Sequence, residues 1–310
     1  MRIAFCTIAL SLIACGPSSQ SATIQARQPM MSVPLVYSTT PIASAAGRVL
    51  PLALVEVEIA GIRTRAIVDT GATLSVIDDR IARRAALVIS QIDFTTTNPA
   101  GGQASARGTS GAHMRIVGLG TEVMDAVLVD LPEALVSSGV GAILSPQQLI
   151  QNSDELVEID IPNAQLRHHL RGADVVHGGS ICIRMEDGFE TRTLISQGQV
   201  ADQPVVLELD TGASTSMLVE SSGAAPGLML HPLASEGERI GVGGAMAARI
   251  YEGVPLEYLG LAMNATVGLT AGEIGDACGR DGRVGLREIS HCVVRIAAAT
   301  FDLVCADPAG

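Results

Sequence analysis

The pentapeptide Asp69-Thr70-Gly71-Ala72-Thr73 returns as Asp210-Thr211-Gly212-Ala213-Ser214, 141 residues further along the chain. The surroundings return with it. Ala60-Gly61 leads into IRTRAIV before the first copy, and Ala201-Asp202 leads into QPVVLEL before the second, again 141 apart. Downstream, GAILSPQQL (141–149) is answered by GRVGLREI (282–289), with Ser145 opposite Gly285 and Leu149 opposite Ile289, both offset by 140. Chance matches would scatter these offsets, whereas a duplicated unit with small loop changes keeps them within a residue. The chain is therefore expected to build one unit twice, over 48–170 and 171–310, each with its own Asp-Thr-Gly loop.

Each unit reads as β. Val55, Val57 and Ile59 alternate with Glu56 and Glu58, and Val, Ile, Leu and Thr crowd the stretches before both motifs. Glycine-punctuated segments follow in both halves, NPAGGQASARGTSGAH and SEGERIGVGGAMAARI, as hairpins in a sheet protein require. Helix is confined to short pieces, expected at 77–87 (IDDRIARRAAL) and 145–151 (SPQQLIQ). Asp78-Asp79 and Arg83-Arg84 read as the solvated face of the first.

Composition removes several kinds of chemistry. All 20 basic residues are Arg, so no lysine is available for a phosphate-binding loop, a Schiff base or a Ser-Lys dyad. No HExxH or GxSxG motif is present. With 32 acidic residues the formal charge is −12, and no basic run offers nucleic acid a phosphate-binding surface. Carboxylate, hydroxyl or thiol chemistry is left.

The N-terminus has the form of an export signal: Arg2, a mostly apolar run from Ile3 to Leu12, then Leu12-Ile13-Ala14-Cys15. The run is too short to span a bilayer. Its last four residues resemble a bacterial lipobox, which makes 1–14 a lipoprotein signal peptide and Cys15 the lipidated mature N-terminus. The alternative is an ordinary secretory signal with an incidental cysteine. Gly16 after the cysteine, by resemblance to enterobacterial lipoproteins, favours the outer membrane over the inner. Residues 15–47, rich in Ser, Pro, Thr, Gln and Ala, are expected to be a flexible tether. An exported chain reaches an oxidising compartment, where Cys182, Cys278, Cys292 and Cys305 are expected to form disulfides. Three pairings are open, and Cys278 with Cys292 and Cys182 with Cys305 is the favoured one, because the first brackets a single turn segment. The spacing lacks the CxxC of a zinc site. His168-His169 with His177 is no better a metal site, since neighbours on a strand point to opposite faces.

Two D-T-G-A-[ST] motifs, each after an apolar strand, resemble the aspartic proteases of the retropepsin/pepsin clan. The resemblance covers nearly all of the chain after the tether. It implies an all-β, bilobal pepsin-like fold of two β-barrel lobes with few short helices, acting as a monomer with both half-sites in one chain. It implies Asp69 and Asp210 as a catalytic dyad that needs no metal and no cofactor: two facing carboxyls share a proton, one serving as base to a water while the other acts as acid. Thr70 and Thr211 would cross-link the two loops, and Gly71 and Gly212 would let the backbone turn beneath the carboxyls. Both fourth positions are Ala, as in retroviral enzymes. One hydroxyl fewer at the carboxylate implies a less acidic dyad, with activity from mildly acidic to near-neutral pH. The first flap, roughly 98–113, has no tyrosine and looks like a retropepsin flap, with GVGG (241–244) as its counterpart. Ser145 stands where the family usually has Gly. The expected partner is a peptide or protein substrate in the bacterial envelope, approached from a lipid anchor facing the periplasm. The competing reading is a protease-fold lipoprotein that grips extended peptides by strand addition without cutting them.

Overall fold

The computed structural model describes residues 31–37, 52–97, 103–109, 112–123, 125–170, 178–186, 188–241, 244–271 and 278–306. The signal segment, Cys15, the tether before Met31, the tip of the first flap and His177 lie outside these residues.

The first unit runs β1 (Met31–Pro34), β2 (Val36–Tyr37), β3 (Ala53–Ile59), β4 (Ile62–Val68), β5 (Ser75–Asp78), α1 (Asp79–Arg84), β6 (Ile89–Thr97), β7 (Gln103–Thr109), β8 (Met114–Ile116), β9 (Glu122–Val123), β10 (Ala126–Val129), α2 (Glu133–Ser137), β11 (Val140–Leu144), a 3₁₀ turn (Pro146–Leu149), β12 (Glu155–Asp160) and β13 (Gln165–Leu170). The second runs β14 (Gly179–Glu186), β15 (Phe189–Val200), β16 (Gln203–Asp210), β17 (Ser216–Val219), α3 (Ala225–Leu228), β18 (Leu233–Gly241), β19 (Gly244–Tyr258), β20 (Leu261–Thr270), β21 (Gly282–Gly285), β22 (Cys292–Ile296) and β23 (Thr300–Cys305). The expected all-β class is what the chain adopts. The first expected helix is present, trimmed to α1 and capped by the Asp78 side chain on the Arg80 amide. The second is only a 3₁₀ turn begun by Pro146.

The same local geometry starts both units. Ala60 (φ 46°) and Gly61 (φ 82°) join β3 to β4, while Ala201 (φ 49°) and Asp202 (φ 61°) join β15 to β16. Two consecutive left-handed residues make the tight hairpin whose twist matches the strands it links. The sheets then repeat their order: β6-β7-β10-β5-β11-β4-β3 in the first unit, β18-β19-β20-β17-β21-β16-β15 in the second. Where β8 returns to pair with β3, the far half of the long β19 returns to pair with β15. Of the two expected flap segments, the described residues 103–109 lie in the β6–β7 hairpin, and Gly241 and Gly244 lie in the matching β18–β19 hairpin.

A run of six strands, β1-β13-β12-β22-β23-β14, joins the units. At its centre β12 and β22 are antiparallel, Val157 facing Ile296 and Asp160 facing Val293. The order is palindromic about that contact, and each unit supplies three strands to the shared run. This corrects the tether: residues 31–37 are strands, with Val33 and Leu35 buried, β1 paired to β13 and β2 to β3. The period-two pattern of MSVPLVY is short and broken by Pro34, and so reads as linker. His168 and His169 do diverge, toward Glu155 (3.7 Å) and Glu158 (3.4 Å) respectively.

The disulfide pairing also differs from expectation. Cys182 joins Cys278, and Cys292 joins Cys305. Cys292 and Cys305 sit directly opposite in the β22–β23 hairpin, a register that sequence spacing does not show. The bridges close loops of very different size, with sequence separations of 96 and 13. Chain-entropy arguments give about 5 kcal/mol for the longer and about 3 kcal/mol for the shorter. The Cys182→Ser/Cys278→Ser protein is therefore expected to lose more stability in urea than Cys292→Ser/Cys305→Ser; the reverse order would show that hairpin geometry matters more than loop length.

Candidate active site

Strands β4 and β16 are buried at their C-terminal ends, with Ala66 and Val68 on one face in the first unit and Leu207 and Leu209 in the second. Burial to the last residue fixes where each strand ends, and so where the Asp-Thr-Gly loops emerge. The loops meet. The Thr70 N–H donates to Thr211 Oγ1 (3.1 Å) and the Thr211 N–H to Thr70 Oγ1 (3.0 Å). Each hydroxyl passes its own proton across the interface, Thr70 to the Leu209 carbonyl (2.7 Å) and Thr211 to the Val68 carbonyl (2.8 Å). Both threonines are fully buried, so these four bonds have no water to compete with them. The cross-linking role that the resemblance implied for Thr70 and Thr211 is visible as this reciprocal clasp.

The clasp sets Asp69 and Asp210 side by side. Each carboxyl lies against the glycine of the opposite loop. Asp69 Oδ1 also accepts the amides of Gly71 (2.8 Å) and Ala72 (3.2 Å), and Asp210 Oδ1 accepts that of Ala213 (2.8 Å). The glycines are needed for space: a Cβ on Gly71 would collide with the Asp210 carboxyl, and one on Gly212 with that of Asp69. Burial pushes the Asp69 carboxyl well above the usual range, helped by the negative charge of Asp210 and by the charge of Glu208, against the Gly71 amide.

Supports behind the loops repeat as well. Ser75 Oγ accepts the Ser145 amide (3.0 Å), as Ser216 Oγ accepts that of Gly285 (3.1 Å). Ser145 is fully buried and makes the same backbone bond as its glycine counterpart, while its own hydroxyl is buried with no hydrogen-bond partner among the described residues. The second unit has no such latitude, because a Cβ at Gly285 would run into the Thr215 backbone. Gln147, unremarked in the sequence, donates from Nε2 to the carbonyls of Thr70 (3.2 Å), Ala72 (2.7 Å) and Arg192 (3.0 Å), tying the first loop to the second unit.

The units part company on the other face of these strands. In the first, Ile67 and Ile143 belong to an apolar cluster with Leu54 and Val76. Their counterparts in the second are Glu208, on β16, and Arg283, on β21, which face each other in register. Arg283 donates from Nη1 to Asp210 Oδ2 (2.6 Å), and Arg280 donates to Glu208 Oε2 (2.5 Å). Asp69 has no cationic partner among the described residues. Burial outweighs the neighbouring guanidiniums of Arg280 and Arg283 and pushes the Glu208 carboxyl up to about 8. This charged cluster was legible in principle: overlaying the two units puts Glu and Arg where the first has two isoleucines.

Residues 55–145 match the family model described as aspartyl protease. No curated protein matches the chain. The matched segment holds Asp69 and ends before Asp210, while the strand order and the clasp carry the same unit through the second half. The match supports an assignment to the aspartic protease family and a function of the aspartic protease type.

Proposed function

We propose that this chain is an aspartic endopeptidase that acts as a monomer, with Asp69 and Asp210 as its dyad. The observation that carries the reading is the reciprocal threonine clasp, which brings the buried Asp210 and the half-buried Asp69 carboxyls together on glycine loops from both units. Two like charges so close do not both ionise readily, so the pair holds one proton over the working pH range. The ionised carboxylate removes a proton from a water as that water attacks the scissile carbonyl. The protonated carboxyl gives its proton to the carbonyl oxygen; the first carboxyl then passes the proton it took from water to the nitrogen as the C–N bond breaks, and the second regains one from a hydroxyl of the collapsing gem-diol. The substrate lies extended under the β6–β7 and β18–β19 hairpins. With 4 Phe, 3 Tyr and no Trp in the whole chain, the side chains it meets are mainly aliphatic, which favours apolar residues at the cut.

The Cys15 lipobox supports a lipid anchor and action on envelope or periplasmic proteins near the membrane. The raised Asp69 carboxyl supports work from mildly acidic to near-neutral pH. The test uses protein beginning at Gly16, which keeps β1 and β2, with a mixed peptide library between about pH 4 and pH 7.5, with and without pepstatin. Pepstatin-sensitive cleavage is expected. Peptide binding without any cleavage would replace the protease by a peptide-gripping module, and an optimum below about pH 3 would overturn the argument from Ala72 and Ala213.

A further inference from the structure

We propose that Arg283 is a positioning residue that fixes which member of the dyad carries the shared proton, holding Asp210 as the ionised base and leaving the proton on Asp69. The inference rests on the protease reading for its catalytic consequence, but not for its structural content.

A symmetric dyad built from a duplicated unit has no intrinsic reason to put its proton on one side. Here the symmetry of charge is broken on the Asp210 side, where Glu208 and Arg283 stand in place of Ile67 and Ile143. The residue that aligns with Arg283 is Ile143, buried among aliphatic side chains, whereas the Arg283 guanidinium reaches Asp210 Oδ2 at 2.6 Å. Its other terminal nitrogen lies 3.3 Å from Met217 Sδ. That thioether is a weak acceptor and offers the cation little competition to Asp210. Arg283 stays protonated throughout the relevant range, and a charged donor at this distance favours the ionised form of the carboxyl it touches.

Charged and titratable groups reach the cluster from several elements. From β16 come Glu208 and Asp210; from the segment before β21, Arg280; from β21, Arg283; from the end of β4, Asp69; and from β19, the buried Tyr258, whose hydroxyl senses Glu208. Arg280 is engaged by Glu208 Oε2, which leaves Arg283 to Asp210. Asp69 faces Asp210 and the charge of Glu208 but no cation among the described residues. The Arg283 guanidinium favours the negative charge on Asp210, and it outweighs the Gly71 and Ala72 amides, which favour an ionised Asp69.

Substrate cleavage then has a direction. Asp210 takes the proton from the attacking water, and Asp69 delivers its proton to the carbonyl oxygen. The polarity is built in before substrate arrives.

The experiment has two arms. In the first, aspartate side-chain carboxyls are labelled with 13C and titrated by NMR in the wild type, with the dyad signals assigned from Asp69→Asn and Asp210→Asn. The expected result is that the Asp210 carboxyl keeps the shift of a carboxylate while the first proton taken up between neutral and mildly acidic pH appears on Asp69. Equal sharing, or the proton on Asp210, overturns the proposal, and this arm needs neither a substrate nor a folded variant of Arg283. In the second, Arg283→Met and Arg283→Lys are compared in the pH dependence of kcat/KM. Arg283→Met is expected to move the acidic limb up by about one pH unit or more, with at least a tenfold loss at the acidic end. Arg283→Lys, which keeps the charge, is expected to restore most of the limb. A purely structural role would lower the whole profile without moving it, and that outcome also overturns the proposal. A wild-type protein that cleaves no peptide defeats the protease reading instead, and the carboxyl titration still decides where the proton sits.

Discussion

Asp69→Asn and Asp210→Asn are expected to abolish peptide cleavage alike, by about 10⁴-fold or more, yet to shift the stability of the fold in opposite directions. The loss of activity follows from the shared proton: an amide can neither take a proton from water nor give one to the carbonyl oxygen. The split in stability follows from the cation. Asp69 is buried beside Asp210 and Glu208, and its ionised form is disfavoured there. Asparagine removes that penalty and keeps an oxygen for the Gly71 and Ala72 amides, so Asp69→Asn should gain on the order of 1 kcal/mol at neutral pH. Asp210→Asn instead takes the carboxylate from Arg283, whose side chain is only 16% exposed. A buried charge left without its partner costs about 3 kcal/mol, the lower end of the usual range being apt here because Glu208 stands across the strand pair. Urea denaturation at pH 7 separates the two, and shifts of the same sign would mean that Arg283 does not discriminate between the carboxyls.

What the sequence disclosed and what it hid divide along a physical line. The Asp-Thr-Gly loops, the two-residue turns before β4 and β16 and the alternation in β3 are local patterns, and local patterns survive being read in one dimension. A duplicated unit adds something rarer, because matched offsets of 141 and 140 disclose which parts of the chain become equivalent in space. The disulfides were misread for the opposite reason. Cys292 and Cys305 meet because β22 and β23 are a hairpin in one register, and Cys278 reaches Cys182 on β14 across the second unit; neither fact is a matter of spacing. β1 and β2 were hidden because two buried residues, Val33 and Leu35, are too few to mark a strand until β13 and β3 lie beside them. Glu208 and Arg283 are the instructive case. Each looks like an ordinary charge in an otherwise apolar strand, and only comparison with Ile67 and Ile143 marks them as a departure from the repeat.

That departure also sets how the fold should respond to pH. Between about pH 4.5 and about pH 8 the wild-type protein is expected to lose stability as pH rises, and Glu208→Gln to lose distinctly less. The Glu208 carboxyl is raised from 4.5 to about 8 by burial in the folded state. Over that window the unfolded chain has released this proton while the folded chain still holds it. Folding therefore takes up a proton, and stability falls with pH, at up to about 1.4 kcal/mol for each pH unit. Asp69 and Glu288, also raised by burial, act with the same sign, and His168, held below its ordinary value by burial, acts with the opposite one, so the slope should become shallower in Glu208→Gln and shallower again when Asp69→Asn is added. Carboxyls of the opposite kind do not mask the effect. Burial works against Glu155 and Asp160 too, but hydrogen bonds from Asn152 and from Asn163 and Arg167 hold them below their ordinary values. Their contribution is complete above the ordinary carboxyl range and is lost only as pH falls below it, on the acid side of the Glu208 window. Melting temperatures of the wild type, Glu208→Gln and the double variant, taken in steps from about pH 4.5 to pH 8, check the sign directly. A wild-type melting temperature that is flat or rises across the window would mean that Glu208 is ionised in the fold and fully matched by Arg280. Arg283 would then be shared between two carboxylates, and its hold on Asp210 would be correspondingly weaker.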